Sequence, residues 1–125
     1  MDELLKKAYA AARTARIVVA KDPNSAANRA YYVMFDIARV LLYRLDPELV
    51  AAKTHASVLR RFAKHFVRAG QLPEDFGKML NRAADLREMA DYGTASVSVA
   101  EAKALLRDMD RFIKETRTLL DELAS

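Results

Sequence analysis

The segment "SAANRAYYVMFDIARVLL", residues 25–42, constrains this chain more than any other. Read as a helix from about Ala26 to Arg44, it is apolar around most of its circumference instead of along one stripe. A helix of that kind is stable only when other elements surround it, so it belongs at the centre of a fold. Only 3 Gly and 3 Pro interrupt the 125 residues, which leaves room for long helices to do the surrounding.

Four such helices can be read. The first spans roughly residues 2–20, with Leu4, Leu5, Ala8, Ala11, Ala12, Ala15 and Val19 spaced for one apolar face. "KDPNS" stops it, because Pro23 cannot continue a helix, and Asn24 or Ser25 can cap the next. After the "LDPEL" turn, a third helix runs from about Thr54 to Ala69 and ends at Gly70, a good residue just past a helix end. Pro73 is placed to open a fourth in its first turn, reaching about Asp91 and stopping near Gly93. Ser98 with Glu101 makes a capping box for the fifth. There, Ala102, Met109, Thr116 and Leu123 form one seven-residue series, and Leu106, Ile113 and Leu120 a second. That is the seam of a helical bundle, or less simply of a coiled-coil partner helix. No strand pattern, repeat or low-complexity tract is present. The expected architecture is a single all-α domain over residues 1–125, a four- to five-helix antiparallel up-down bundle with short loops.

Composition narrows the function classes. The chain is 52% hydrophobic and 30% charged, ordinary values for a globular domain. With no Cys, disulfides and thiolate zinc sites are excluded. No apolar run approaches a membrane span, and "MDELLKKAYA" lacks a signal-peptide core, so a cytoplasmic protein without membrane contact is expected. The net charge of +4 permits a nucleic-acid partner without arguing for one. His55 and His65 stand ten residues apart, which is not metal-ligand spacing, and no metal or cofactor is expected. Phosphate-binding glycine loops and nucleophile elbows are absent.

Two features are unusual. On the fourth helix, Phe76, Met79, Leu80, Ala83, Leu86 and Ala90 define the apolar stripe, yet Arg87 projects near its middle and Asp91 one turn on along its edge. A lone arginine in a core is costly. Either Arg87 and Asp91 pair within the bundle, or this end of the stripe lines a cleft or subunit interface. On the third helix, Lys53, Arg60, Arg61, Lys64 and Arg68 are unrelieved by any acidic residue. With Val58, Phe62 and Phe66 buried, these cations spread over outer faces that can hold phosphates or can simply be solvated. On the second helix, Asn28, Tyr32 and Arg39 share a side off the main apolar stripe; its tyrosines suit a nucleobase stack or a core. His55 begins the third helix, where it can cap, donate or titrate.

"SAANRAYYVMFDIARVLL", "KTHASVLRRFAKHFV" followed by "GQLPEDF", and "LREMADYG" together resemble the HEPN domain family. The likeness is greatest to small stand-alone members encoded beside a nucleotidyltransferase, and it covers about Leu4 to Leu123. The resemblance implies a helical bundle that forms a homodimer, with RNA or a nucleotide in the cleft between copies. Many HEPN proteins are metal-independent ribonucleases whose motif is an arginine, a spacer of four to six residues and a histidine. In toxin–antitoxin pairs the nucleotidyltransferase silences the toxin, in some cases by adding nucleotides to a tyrosine beside that motif.

Carried over by position, Arg87 matches the motif arginine. The histidine does not carry over: Tyr92 stands in its place for a four-residue spacer, and Gly93 or Thr94 for longer ones. At pH 7 only about one tyrosine in a thousand is ionised, a handicap of some 4 kcal/mol for a base. Tyr92 therefore reads as a proton donor, stacking partner or nucleotidylation acceptor. Asp91 would orient Arg87 or bind a 2′-hydroxyl, and His55 would supply the imidazole if the fold brings it to the end of the fourth helix. Three readings follow: an RNA-cleaving toxin, a non-catalytic binding module for a nucleotidyltransferase, or a structural bundle. The candidate catalytic residues are Arg87, Asp91, Tyr92 and His55. The candidate binding residues are Asn28, Tyr32, Arg60, Arg61, Lys64 and Arg68.

Overall fold

A computed structural model describes residues 1–51, 54–93 and 95–124. Five helices carry the chain: α1 (Asp2–Val18), α2 (Pro23–Leu45), α3 (His55–Phe62), α4 (Asp75–Tyr92) and α5 (Val99–Ala124). Among the described residues there is no strand, and no helix is long and apolar enough to cross a membrane.

Helix α2 is the axis of the bundle, and α1, α3, α4 and α5 all pack against it. Twelve of its 23 residues are buried, from Ala26 to Leu42. Helix α1 packs on α2, and Ala8, Ala12 and Ala15 of α1, like Ala26, Ala27, Ala30 and Ala38 of α2, are fully buried. Cross-helix contacts set the directions. Arg44 near the end of α2 bonds Asp2 at the start of α1, so that pair is antiparallel. Asn28 and Tyr32 of α2 meet Asp91 and Arg87 of α4 in reverse order, so that pair is antiparallel too. Asn24 receives the Val97 amide before α5, while Arg44 reaches Leu120 near its end, so α2 and α5 run parallel on a diagonal. The four long helices thus alternate in direction, and both seven-residue series of α5 turn inward: Ala102, Met109, Thr116, Leu106, Ile113 and Leu120 are all buried. Leu105 and Phe112 widen that seam into a bundle face. Phe112 lies 5.5 Å from Phe62 and 5.3 Å from Phe76, ring centre to ring centre, joining α3, α4 and α5 in one aromatic core.

Helix ends differ from the sequence reading in three places. Asp22, not Asn24 or Ser25, caps α2 by accepting from the Ser25 amide, and Pro23 takes the first helical turn. Asn24 is thereby free to bind the Val97 amide across the bundle. The third helix does not run unbroken to Ala69: after Phe62 it widens into a π-helical turn, Ala63–Val67, closed by the Arg68 amide on the Ala63 carbonyl at 2.8 Å. Pro73 lies outside α4, its carbonyl accepting from Phe76. Gly70 adopts φ 83°, the left-handed conformation that its position after a helix calls for. The Ser98–Glu101 capping box forms in both directions at 3.0 Å.

Candidate functional site

The antiparallel α2–α4 pair brings one end of each helix to the same place, beside the first residue of α3. Helical phase on α2 presents Asn28, Tyr31, Tyr32 and Phe35 there, and phase on α4 presents Arg87 and Asp91. Thr54 caps α3 by accepting from the Ser57 amide, which fixes His55 at the helix start and over α2. Gly93 ends α4 in extended backbone; a side chain there would place its Cβ 2.8 Å from the Met89 carbonyl oxygen, so only glycine allows this close exit.

Arg87 is the centre. Its side chain is 20% exposed, and its guanidinium carbon stands 5.2 Å from the Tyr31 ring centre, 5.7 Å from Tyr32 and 6.0 Å from Tyr92. Three aromatic rings therefore attract one cation, a contact that strengthens as water is excluded. Its polar contacts are long: Nη1 donates to Tyr32 Oη at 3.4 Å and to Asp91 Oδ2 at 3.5 Å. Its Nε is buried and has no hydrogen-bond partner among the described residues. Asp91 is held from the other side by Asn28 Nδ2, at 3.0 and 3.3 Å from its two oxygens.

His55 completes the cluster. Its Nδ1 lies 2.8 Å from Tyr31 Oη, and its ring stacks on Phe35 at 4.3 Å with 29° between planes. Burial pushes the Tyr31 hydroxyl up to about 12, so Tyr31 stays protonated. The His55 ring remains accessible to solvent on its outer side. Burial of its inner side, then the positive charges of Arg87 and Arg39, hold the imidazole below its usual range. An imidazole and a guanidinium thus both border one buried tyrosine. The pair can accept a proton at one point and stabilise negative charge at another. Among the described residues no group of three acidic or histidine side chains could hold a metal ion.

Asn28, Tyr32, His55, Arg87, Asp91 and Tyr92 are therefore neighbours, and the inward phase of Arg87 and Asp91 is a partly buried i,i+4 pair facing α2. The basic face of α3 is elsewhere. Arg60 borders an open cavity of about 350 Å³ with Gly77 and Asn81, towards the start of α4. Lys64 and Arg68 are exposed on the π-helical turn and just past it. Arg61 is engaged structurally, donating to the Leu49 carbonyl at 2.7 Å and clamping the 3₁₀ turn Pro47–Val50. Lys53 and Thr94 lie outside the described residues. Sequence reasoning missed Tyr31 and Phe35, whose phase on α2 reads as core; their tie to His55 crosses 24 residues for Tyr31 and has no local signal.

The chain as a whole has counterparts among known proteins. The HEPN domain model matches residues 1–119, and the chain belongs to that family. It is 32% identical over 97 residues to the Methanocaldococcus jannaschii protein named Putative toxin MJ0605, covering 76% of this chain and 69% of that one. It is 34% identical over 89 residues to UPF0332 protein glr0978 of Gloeobacter violaceus, covering 70% and 68%. A UPF0332 protein of Thermotoga maritima is 32% identical over 101 residues, covering 80% and 74%.

Proposed function

We propose that this chain is a toxin-like HEPN protein that binds single-stranded RNA at the Arg87 cluster and cleaves it through the 2′-hydroxyl. The observation that carries this reading is the state of Arg87. Its guanidinium is fixed in place by three tyrosine rings, yet its hydrogen bonds are 3.4 and 3.5 Å long. A charge positioned in advance and only loosely paired is suited to a phosphate arriving from outside. The toxin name borne by a relative agrees with this reading.

The chemistry follows from the two groups that border Tyr31. In the tautomer that donates Nδ1–H to Tyr31 Oη, the Nε2 of His55 is a free acceptor. It takes the 2′-hydroxyl proton as O2′ attacks phosphorus. The P–O5′ bond breaks, leaving a 2′,3′-cyclic phosphate, and the departing O5′ takes up a proton, for which Tyr92, 77% exposed and with its ring 6.0 Å from the Arg87 guanidinium carbon, is an accessible donor. Arg87 stabilises the charge that develops on the phosphorane oxygens, and Asp91, tied to Asn28, orients it. Two copies would set two such clusters facing one cleft, and a nucleotidyltransferase partner would act on Tyr92, which is 77% exposed.

One observation favours a second reading, a binding module that presents RNA or a nucleotide to that partner without turnover: a tyrosine occupies the motif histidine's place. Purified protein incubated with a mixed RNA pool in EDTA, beside Arg87→Ala and His55→Ala, separates the two. Cleavage by wild type that both variants lose supports the ribonuclease. RNA binding without cleavage in any of the three transfers the function to the binding module.

A further inference from the structure

The α2 ridge does not end at the Arg87 cluster. Asn28, Tyr32, Phe35 and Arg39 recur at spacings of four, three and four, which places all of them within about 60° of one another around the helix. Arg39 also reaches the Phe35–His55 stack: its guanidinium carbon is 5.9 Å from the Phe35 ring centre, and His55 covers the same ring at 4.3 Å. Its acidic neighbour is Asp36, one turn back, at 3.7 Å, a loose contact near the limit of an ion pair. The Arg39 side chain is 33% exposed, so a ligand can reach it. Arg87 meets α2 at Tyr31 and Tyr32, whereas Arg39 reaches Phe35, about one turn further along the helix.

We propose that Arg39 is a second phosphate-binding residue, which grips the RNA backbone next to the phosphate held at Arg87 while the base between them stacks on the outer face of His55. This rests on the RNA-binding reading above and extends it from one phosphate to a strand with a path. The strand crosses the edge where His55 is exposed and Arg39 is partly exposed and passes over an aromatic platform, the arrangement by which single-stranded nucleic acid is held without base-specific hydrogen bonds.

The test is the salt dependence of binding to a fluorescent single-stranded RNA whose 2′-O-methyl groups prevent cleavage. Each phosphate contact on a single strand adds about 0.7 to the slope of log affinity against log salt. Arg39→Ala is expected to lower that slope by about 0.7 and to weaken binding about tenfold at low salt, with an unchanged circular dichroism spectrum. Arg39→Lys, which keeps the charge, is expected to restore the slope. Equal slopes for wild type and Arg39→Ala overturn the inference while leaving the Arg87 reading intact. Wild-type protein that does not bind the RNA at all overturns the Arg87 reading, and this inference with it.

Discussion

Two arginines on opposite ends of the α2 axis are almost equally buried and entirely differently used. Arg44 has a side chain 17% exposed, and Arg87 one 20% exposed. Arg44 donates to the Leu120 carbonyl at 2.7 Å and to Asp2 at 3.1 Å. It neutralises the last turn of α5 and joins three helices, which is what a cation near a helix C-terminus does well. Among the described residues Arg87 makes no hydrogen bond shorter than 3.4 Å and its Nε has no partner, and aromatic rings, not tight polar partners, hold it. Burial alone therefore does not reveal a functional arginine. What its donors are doing does, and a guanidinium left with unspent hydrogen-bonding capacity in a built cage is the one equipped to receive a ligand.

That contrast can be broken or sharpened in four ways. The largest effect is expected from Arg87→Ala, which should cut RNA cleavage by about 10²–10³-fold, the loss typical of removing one preorganised charge-stabilising donor. Its stability should change by no more than about 1 kcal/mol, because long contacts contribute little; single-turnover assays and thermal denaturation check the two halves. Next, Arg44→Ala should cost about 2 kcal/mol and lower Tm by roughly 5–10 °C, with RNA binding retained, as read by calorimetry and fluorescence anisotropy.

The third effect is a pH dependence. Burial, then Arg87 and Arg39, hold His55 below its usual value, so the unfolded chain takes up the histidine proton first as pH falls. The contribution of neutral His55 to stability is complete above about pH 6.5, the ordinary histidine value, and is lost as pH drops from there through the depressed folded value. Arg87→Ala should raise the His55 titration midpoint in NMR towards the ordinary value and narrow that window. An unmoved midpoint would mean that the two groups are not electrostatically coupled. The smallest effect should come from Tyr92→Phe. At 77% exposure the hydroxyl has little structural role, and Tm should shift by less than a change of about 0.5 kcal/mol produces, while cleavage slows if that hydroxyl protonates the leaving oxygen.

Much of this architecture is legible in the amino-acid sequence. The all-round apolar character of residues 26–44 dictates a central helix, and the phase of Arg87 and Asp91 places both against it. Periodicity carries such information because it is local. The Tyr31–His55 contact is not legible: it joins an inward position of α2 to the first residue of α3 across a turn, and nothing local distinguishes that tyrosine from core. The π-helical turn is hidden for a related reason, since Phe62 just before it and Phe66 within it keep the spacing of an ordinary helix. Arg61 resembles its basic neighbours in sequence, yet the Leu49 carbonyl, twelve residues away, claims it in the fold. Charge patterning shows which side chains reach solvent but not which are already engaged.

The most direct measurement pairs RNA affinity with thermal stability in Arg87→Ala and Arg44→Ala, made side by side from one preparation. The account predicts a crossed result: Arg87→Ala loses RNA and keeps its Tm, and Arg44→Ala keeps RNA and loses Tm. Wild-type RNA affinity in Arg87→Ala, accompanied by a fall in Tm as large as that of Arg44→Ala, would make both arginines structural and contradict it.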